Sequence, residues 1–194
     1  MTEMKRILVG SDFHFPRHSP EAVEAFLPRE PVDFIVLNGD VFQDASADAL
    51  MDFVVLINKC RRHCTSIFVV VGNHDKEMIE TQDFKDFAAR GEFILCPDGI
   101  TIGPYRFIHG EHHEGWYTEK YLAEAEKANG VVVVGHAHRY QGLTSSRGGV
   151  FGLPCLSKNG VPDARLGFGI FEFDPDTLNR MMSFVDLWGV GMEG

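Results

Sequence analysis

Five short apolar runs set the rhythm of this chain, and each stops at the same kind of residue. Ile7-Leu8-Val9 leads to Asp12-Phe13-His14, Phe34-Ile35-Val36-Leu37 to Gly39-Asp40, and Val69-Val70-Val71 to Gly72-Asn73-His74-Asp75. Tyr105-Arg106-Phe107-Ile108 leads to His109-Gly110, and Val131-Val132-Val133-Val134 to Gly135-His136-Ala137-His138. Apolar runs of this length predict strands, and the unbroken β-branched run Val69-Val70-Val71 predicts one buried on both faces. A glycine beside the polar cluster lets the backbone turn sharply where the strand ends. In open α/β sheets ligands bind just beyond the carboxyl ends of the strands, and that is where these Asp, Asn and His residues fall. Burying so many polar groups without partners is costly, so the pattern calls for a metal or a substrate nearby.

Between the runs the period changes from strand to helix. Ser19-Pro20 predicts an N-cap followed by proline at the first helical position, with Val23, Phe26 and Leu27 on the buried side and Pro28 and Pro31 ending the helix. A helix is expected over roughly residues 47–63, one through Ile79, Phe84, Phe87 and Ala88 closed by Gly91, and one over 116–129. The region from Phe93 to Ile108, broken at Pro97-Asp98-Gly99 and Gly103-Pro104, reads as antiparallel hairpins. Residues 141–162 show little periodicity apart from a short strand at 150–156, and Leu166–Phe173 with Met181–Leu187 form a hairpin across Asp174-Pro175-Asp176. The expected fold class is α/β, a two-layer β-sandwich core flanked by helices, with residues 1–194 as one domain.

The formal net charge of −10 disfavours a broad nucleic-acid or anionic-membrane footprint. No apolar run approaches the ~18 residues of a membrane span, and a first strand close to Met1 leaves no room for a signal peptide. Cys60 and Cys64 fall on the apolar stripe of Leu50, Phe53, Val54 and Ile57, and read as core thiols rather than a disulfide or metal site. A reduced, cytoplasmic protein is expected.

Asp12 and His14 are two apart, as are His136 and His138, so on extended backbone each pair would address one centre. Asp40, Asn73 and His109 bring the set to seven side chains of carboxylate, amide and imidazole type. That mixture suits manganese, iron, zinc or nickel and excludes a thiolate-dominated structural zinc site. Seven donors exceed one tetrahedral ion, whereas a bridging Asp40 would give each of two ions four ligands. Two carboxylates and a hydroxide against two divalent cations leave a centre of about +1, attractive to phosphate. Any one of these residues alone would read as a turn former; the whole set does not.

The ordered blocks Asp12-x-His14, Gly39-Asp40, Gly72-Asn73-His74-Asp75, His109-Gly110 and Gly135-His136-Ala137-His138 resemble the five signature blocks of the calcineurin-like metallophosphoesterases. The resemblance implies that Asp12, His14, Asp40 and His138 hold one divalent ion, and Asp40, Asn73, His109 and His136 the other, with manganese first among the candidates. It implies His74 as the catalytic histidine and Asp75 as the residue orienting it. Two departures stand out: Lys76 follows Asp75 where relatives often carry Arg, and Phe15-Pro16 follows His14 where they often carry Gly. Lys cannot form the bidentate fork of Arg. His112, His113 and Glu111 follow a donor-bearing turn, and Lys76, Arg139, Arg147 and Lys158 are candidate phosphate contacts on the rim; a solvated loop and surface charge are the competing readings. The expected activity is hydrolysis of small phosphate esters, diesters first and monoesters alongside, by a metal-bridging hydroxide. A nuclease or phosphoprotein phosphatase with the same core is the alternative, and a non-catalytic metal-binding scaffold the third reading.

Overall fold

The computed structural model describes residues 3–110, 117–136, 138–157 and 165–187. Its first half alternates strand and helix: β1 (Lys5–Gly10), α1 (Pro20–Phe26), β2 (Val32–Asn38), α2 (Ala47–Cys60), β3 (Cys64–Val70), then α3 (Lys76–Glu80), α4 (Gln82–Ala88) and β4 (Ile94–Cys96). The second half is strand-rich: β5 (Ile100–Ile102), β6 (Tyr105–Ile108), α5 (Tyr117–Ala128), β7 (Val131–Val134), β8 (Gln141–Thr144), β9 (Gly149–Gly152), β10 (Gly167–Phe173) and β11 (Arg180–Asp186). One sheet has the order β11-β10-β1-β2-β3-β4, the other β5-β6-β7-β9-β8.

Alternation along each strand decides the layers. Ile7 and Val9 of β1 meet Val36, Phe107, Val131, Val133 and Phe171 between the two sheets. Leu8 points the other way, into a second cluster with Phe26, Phe53, Ile57 and Phe84 under the helices. Val132 and Val134 pack with Ala125 of α5 on the far side of the second sheet. The result is the four-layer α/β/β/α arrangement that the buried runs imply.

Helix starts follow from capping. The Ser19 hydroxyl accepts from the Ala22 N–H, and Ser46 accepts from Ala49 to open α2 at 3.2 Å. On α2 the buried residues Ala49, Phe53, Leu56, Ile57 and Cys60 recur at helical spacing. Cys64, assigned by its spacing to the same stripe, instead begins β3, and all four cysteines are free thiols. Burial pushes the Cys60 thiol up to about 12.

Three expectations need correcting. The single helix ending at Gly91 is two, because the Thr81 side chain caps a new start by accepting from the Phe84 N–H at 3.3 Å. Pro97-Asp98-Gly99 does not close a hairpin: β4 pairs parallel with β3 in the first sheet, and the chain then crosses to the second. Only β5 and β6, around Gly103-Pro104, make the antiparallel hairpin expected of that region. β8 lies in a stretch expected to be irregular, since all four of its residues are exposed and carry no apolar alternation.

Phe53 lies at the hub of the outer core, with its ring 5.1 Å from Phe42, 6.0 Å from Phe84, 5.9 Å from Phe87 and 5.3 Å from Phe93. Phe53→Ala is expected to cost about 3–5 kcal/mol in urea denaturation. Val55→Ala, on the exposed side of the same helix, should change stability by about 0.5 kcal/mol or less.

Candidate metal centre

Beyond the carboxyl ends of β1 and β2 the two loops run side by side. Asp12 N–H donates to the Gly39 carbonyl at 3.0 Å, His14 N–H to the Asp40 carbonyl at 3.0 Å, and Phe15 N–H to the Val41 carbonyl at 2.8 Å. Within these loops and the one after β7, Asp12, His14, Asp40, His136 and His138 all have positive φ, between 47° and 62°. The Asp12/His14 and His136/His138 pairs therefore do not sit on the extended backbone that their spacing suggests, and while Asp12 and His14 share a donor group, His136 and His138 turn into different ones. Phe13, between the first pair, is wholly buried in the core and anchors that turn. Such conformations are disfavoured for residues with a Cβ, by about 1–3 kcal/mol each, and cluster where function holds them.

The side chains gather into three overlapping groups whose donor atoms lie within 4.8 Å of one another: Asp12, His14 and His138; His14, Asp40 and His74; and Asp40, His109 and His136. His138 Nε2 faces Asp12 Oδ1 at 3.2 Å, and His109 Nε2 faces Asp40 Oδ2 at 3.1 Å. The imidazoles of His109 and His136 are 5.2 Å apart, and those of His14 and His138 5.3 Å. Both ring nitrogens of His14 and the Asn73 amide oxygen are buried and have no hydrogen-bond partner among the described residues. Orphaned polar atoms of this kind are costly, and oxygen and imidazole donors converging together fit a borderline divalent ion.

Electrostatics follow from burial against pairing. Burial alone would raise Asp40, but the His109 imidazole and the His74 N–H outweigh it and hold the carboxylate down to about 2. Burial likewise works against ionised Asp12, whose pKa is nonetheless lowered by His138 and His109. Against the pull of burial, the carboxylates raise His109 to about 9 and, together with Cys155, His138 to about 10. Burial keeps His14 neutral, down to about 4.

Several residues that the sequence pattern did not single out build the support. Ser11 Oγ lies 2.5 Å from Asp12 Oδ2 and 3.0 Å from the Asn38 carbonyl, two acceptors sharing its one proton. That same carbonyl lies 3.2 Å from His109 Nδ1, which, by taking an N–H there, leaves Nε2 for the centre. The Asn38 amide donates to the Ile108 carbonyl at 2.9 Å, tying the end of β2 to the end of β6 in the other sheet. Gly72 packs so closely on Asp40 that a Cβ there would collide with both its carboxylate and its backbone.

His74 is exposed, with its ring 5.1 Å from that of His14 and its N–H donating to Asp40 Oδ1 at 2.9 Å. Asp75 makes different contacts from those expected. Its carboxylate accepts from Phe42 N–H at 2.9 Å and Gly72 N–H at 2.7 Å, and no hydrogen bond among the described residues joins it to the His74 ring. It thus pins the β2 and β3 loops together and reaches His74 only through the backbone. Burial pushes it up to about 7 despite those two N–H donors. Arg139 and Arg147 are exposed; Glu111, His112, His113 and Lys158 lie outside the described residues.

The family model of the calcineurin-like phosphoesterases matches residues 5–167, so the chain belongs to that family. No curated protein matches the sequence. Among solved structures, Vacuolar Protein Sorting 29 from Cryptosporidium parvum is similar at a TM-score of 0.59 and 13% identity, over 94% of this chain and 97% of that one. A novel archaeal phosphodiesterase aligns at 0.58 and 18% identity, over 93% of this chain and 99% of the other. Wild-type Vps29 of Entamoeba histolytica, in complex with zinc, aligns at 0.55 and 16% identity, over 93% and 98%. At such identities the likeness concerns the fold. No helix among the described residues is long and apolar enough to cross a membrane.

Asp75→Ala leaves two buried N–H groups without an acceptor and is expected to lower stability by about 2–5 kcal/mol in denaturant titrations. An orienting role confined to His74 would leave stability unchanged.

Proposed function

We propose that the chain is a dinuclear-metal phosphodiesterase, with Asp12, His14, Asp40 and His138 holding one divalent ion and Asp40, Asn73, His109 and His136 the other. The observation carrying this reading is the convergence of the Asp and His donors at the strand ends, with His14 and Asn73 presenting buried atoms that no described residue satisfies. The bound ions would supply Lewis acidity and a water activated near neutral pH, with manganese first and iron, zinc or nickel as alternatives. The chain's own part is to fix that geometry: Ser11 and Asn38 orient Asp12 and His109, and Asp75 locks the loops carrying Asp40 and Asn73. His74, the proposed catalytic residue, donates a proton from its imidazole to the ester oxygen as the P–O bond breaks, so the leaving group departs as an alcohol. Asp75 serves as a positioning residue for that loop.

The same fold occurs in proteins named for vacuolar protein sorting and in one named a phosphodiesterase, so fold alone does not fix activity. The full donor set favours the enzyme. The net charge of −10 favours small diesters over nucleic acid.

Protons and metal compete for the same imidazoles. His109 and His138 keep their protons up to about 9 and 10, so an ion binding at neutral pH must displace them. Metal affinity should therefore rise with pH, by about tenfold per unit for each proton displaced. Manganese titrations at several pH values, with released protons counted, check this and should end at two ions per chain; Asp40→Ala should lose at least one. A stoichiometry of one or fewer, with no hydrolysis of bis(p-nitrophenyl) phosphate, would overturn the reading.

His74→Ala should keep both ions yet lower kcat by about 10²–10⁴ for an alkyl leaving group. The loss should shrink for p-nitrophenolate, which needs no proton. Equal losses for both leaving groups would remove the acid role.

A further inference from the structure

Beside the candidate centre, and sharing His109 with it, a cleft of about 370 Å³ opens between the end of β3, the Pro97–Gly99 turn and α5. Its volume lies in the range of small-molecule sites, about 300–1,000 Å³. Tyr121 stands at its inner end: the hydroxyl is 3.9 Å from where a Cβ on Gly110, the residue after His109, would be. Two cations and two carboxylates line the walls. Arg106 Nη1 is 3.5 Å from Glu124 Oε2, so that pair largely cancels. Lys120 and Asp98 remain, and neither forms a salt bridge with a described residue. The Lys120 ammonium lies 5.7 Å from the centroid of the Tyr121 ring. The cleft thus offers, next to the centre, an ammonium for an anion and a carboxylate for hydroxyl donors, neither in a salt bridge with a described residue.

We infer that this cleft seats one ester arm of the substrate and that Lys120 selects an arm both hydroxylated and anionic, a nucleotide or sugar phosphate rather than a plain aryl or alkyl group. The inference rests on the phosphodiesterase reading of the adjoining centre. A sugar's hydroxyls suit Asp98, and a second phosphate suits Lys120 by a charge-assisted hydrogen bond. Because Lys120 is exposed on its helix, changing it removes no core contact.

Two chromogenic diesters with the same leaving group test it: bis(p-nitrophenyl) phosphate, and the 5′-(p-nitrophenyl) ester of uridine 3′,5′-bisphosphate, whose 2′-hydroxyl and 3′-phosphate are free. In the manganese-loaded protein, Lys120→Glu should lower the ratio of kcat/KM for the second over the first by about tenfold, through KM. Lys120→Gln should lower it less. Lys127→Glu, the same charge change in the last turn of that helix, should leave the ratio alone. An unchanged ratio in Lys120→Glu, or a fall shared by Lys127→Glu, overturns the inference. Should the wild type hydrolyse neither ester, the phosphodiesterase reading fails by itself. Calorimetry with uridine 3′,5′-bisphosphate then still decides the cleft: weaker binding to Lys120→Glu than to wild type supports it, and equal or absent binding overturns it.

Discussion

The buried carboxylate of Asp40 is the constraint around which the strand ends are arranged. It is 1% exposed and held ionised, which an apolar surrounding opposes strongly. One oxygen takes the His74 N–H and the other faces His109, so two loops from different sheets are drawn to it. Gly72 is part of the same constraint, because any larger residue would displace the group it packs against. A centre of this kind cannot relax piecemeal: moving one loop uncovers a charge that another loop has satisfied.

The strain gathered at the centre is balanced by the rigidity beneath it. Left-handed backbone at five donor positions is held because the strands below are locked on both faces, by an inter-sheet core on one side and a phenylalanine-rich helix core on the other. Local cost at the site and close packing elsewhere are complementary features of one design. The supporting polar contacts extend that rigidity into the site. Asn38 ties β2 to β6, and Asp75 ties the β2 loop to the β3 loop, so the two halves of the donor set cannot drift apart. The proposed chemistry, which depends on donors held in register from both sheets, would need this kind of cross-sheet fastening.

The centre is also asymmetric in how it meets solvent. Asp12, His14, Asp40, His109 and His138 are buried, whereas His74 and His136 are exposed. Most of the proposed holding groups thus lie on the protein side, while His136 and the proposed proton donor His74 face the open side. The neighbouring cleft lies along the His109 flank, so the second sheet and α5 contribute the surroundings of the site, while the first sheet contributes most of its donors.

The sequence by itself determined the strands with buried faces, the helix start at Ser19, and the polar Asp, Asn and His residues with their place at strand ends. Each of these is written in a residue's own burial or chemistry: Val131–Val134 is apolar because both faces are covered, and Asp12 or His109 is polar because it faces the centre. Tertiary structure alone decided the rest. The parallel docking of β4 and the exposed strand β8 follow from which backbone edge was free, and a side-chain pattern does not record that. The left-handed turns, and the tasks of Ser11, Asn38 and Asp75, likewise depend on partners far along the chain: Asp75 reads as a neighbour of His74 in sequence, but its carboxylate belongs to Phe42, 33 residues away. Periodicity reports whether a residue is covered; only the folded chain reports by what, because hydrogen-bond partners across sheets are chosen by geometry that no single segment contains.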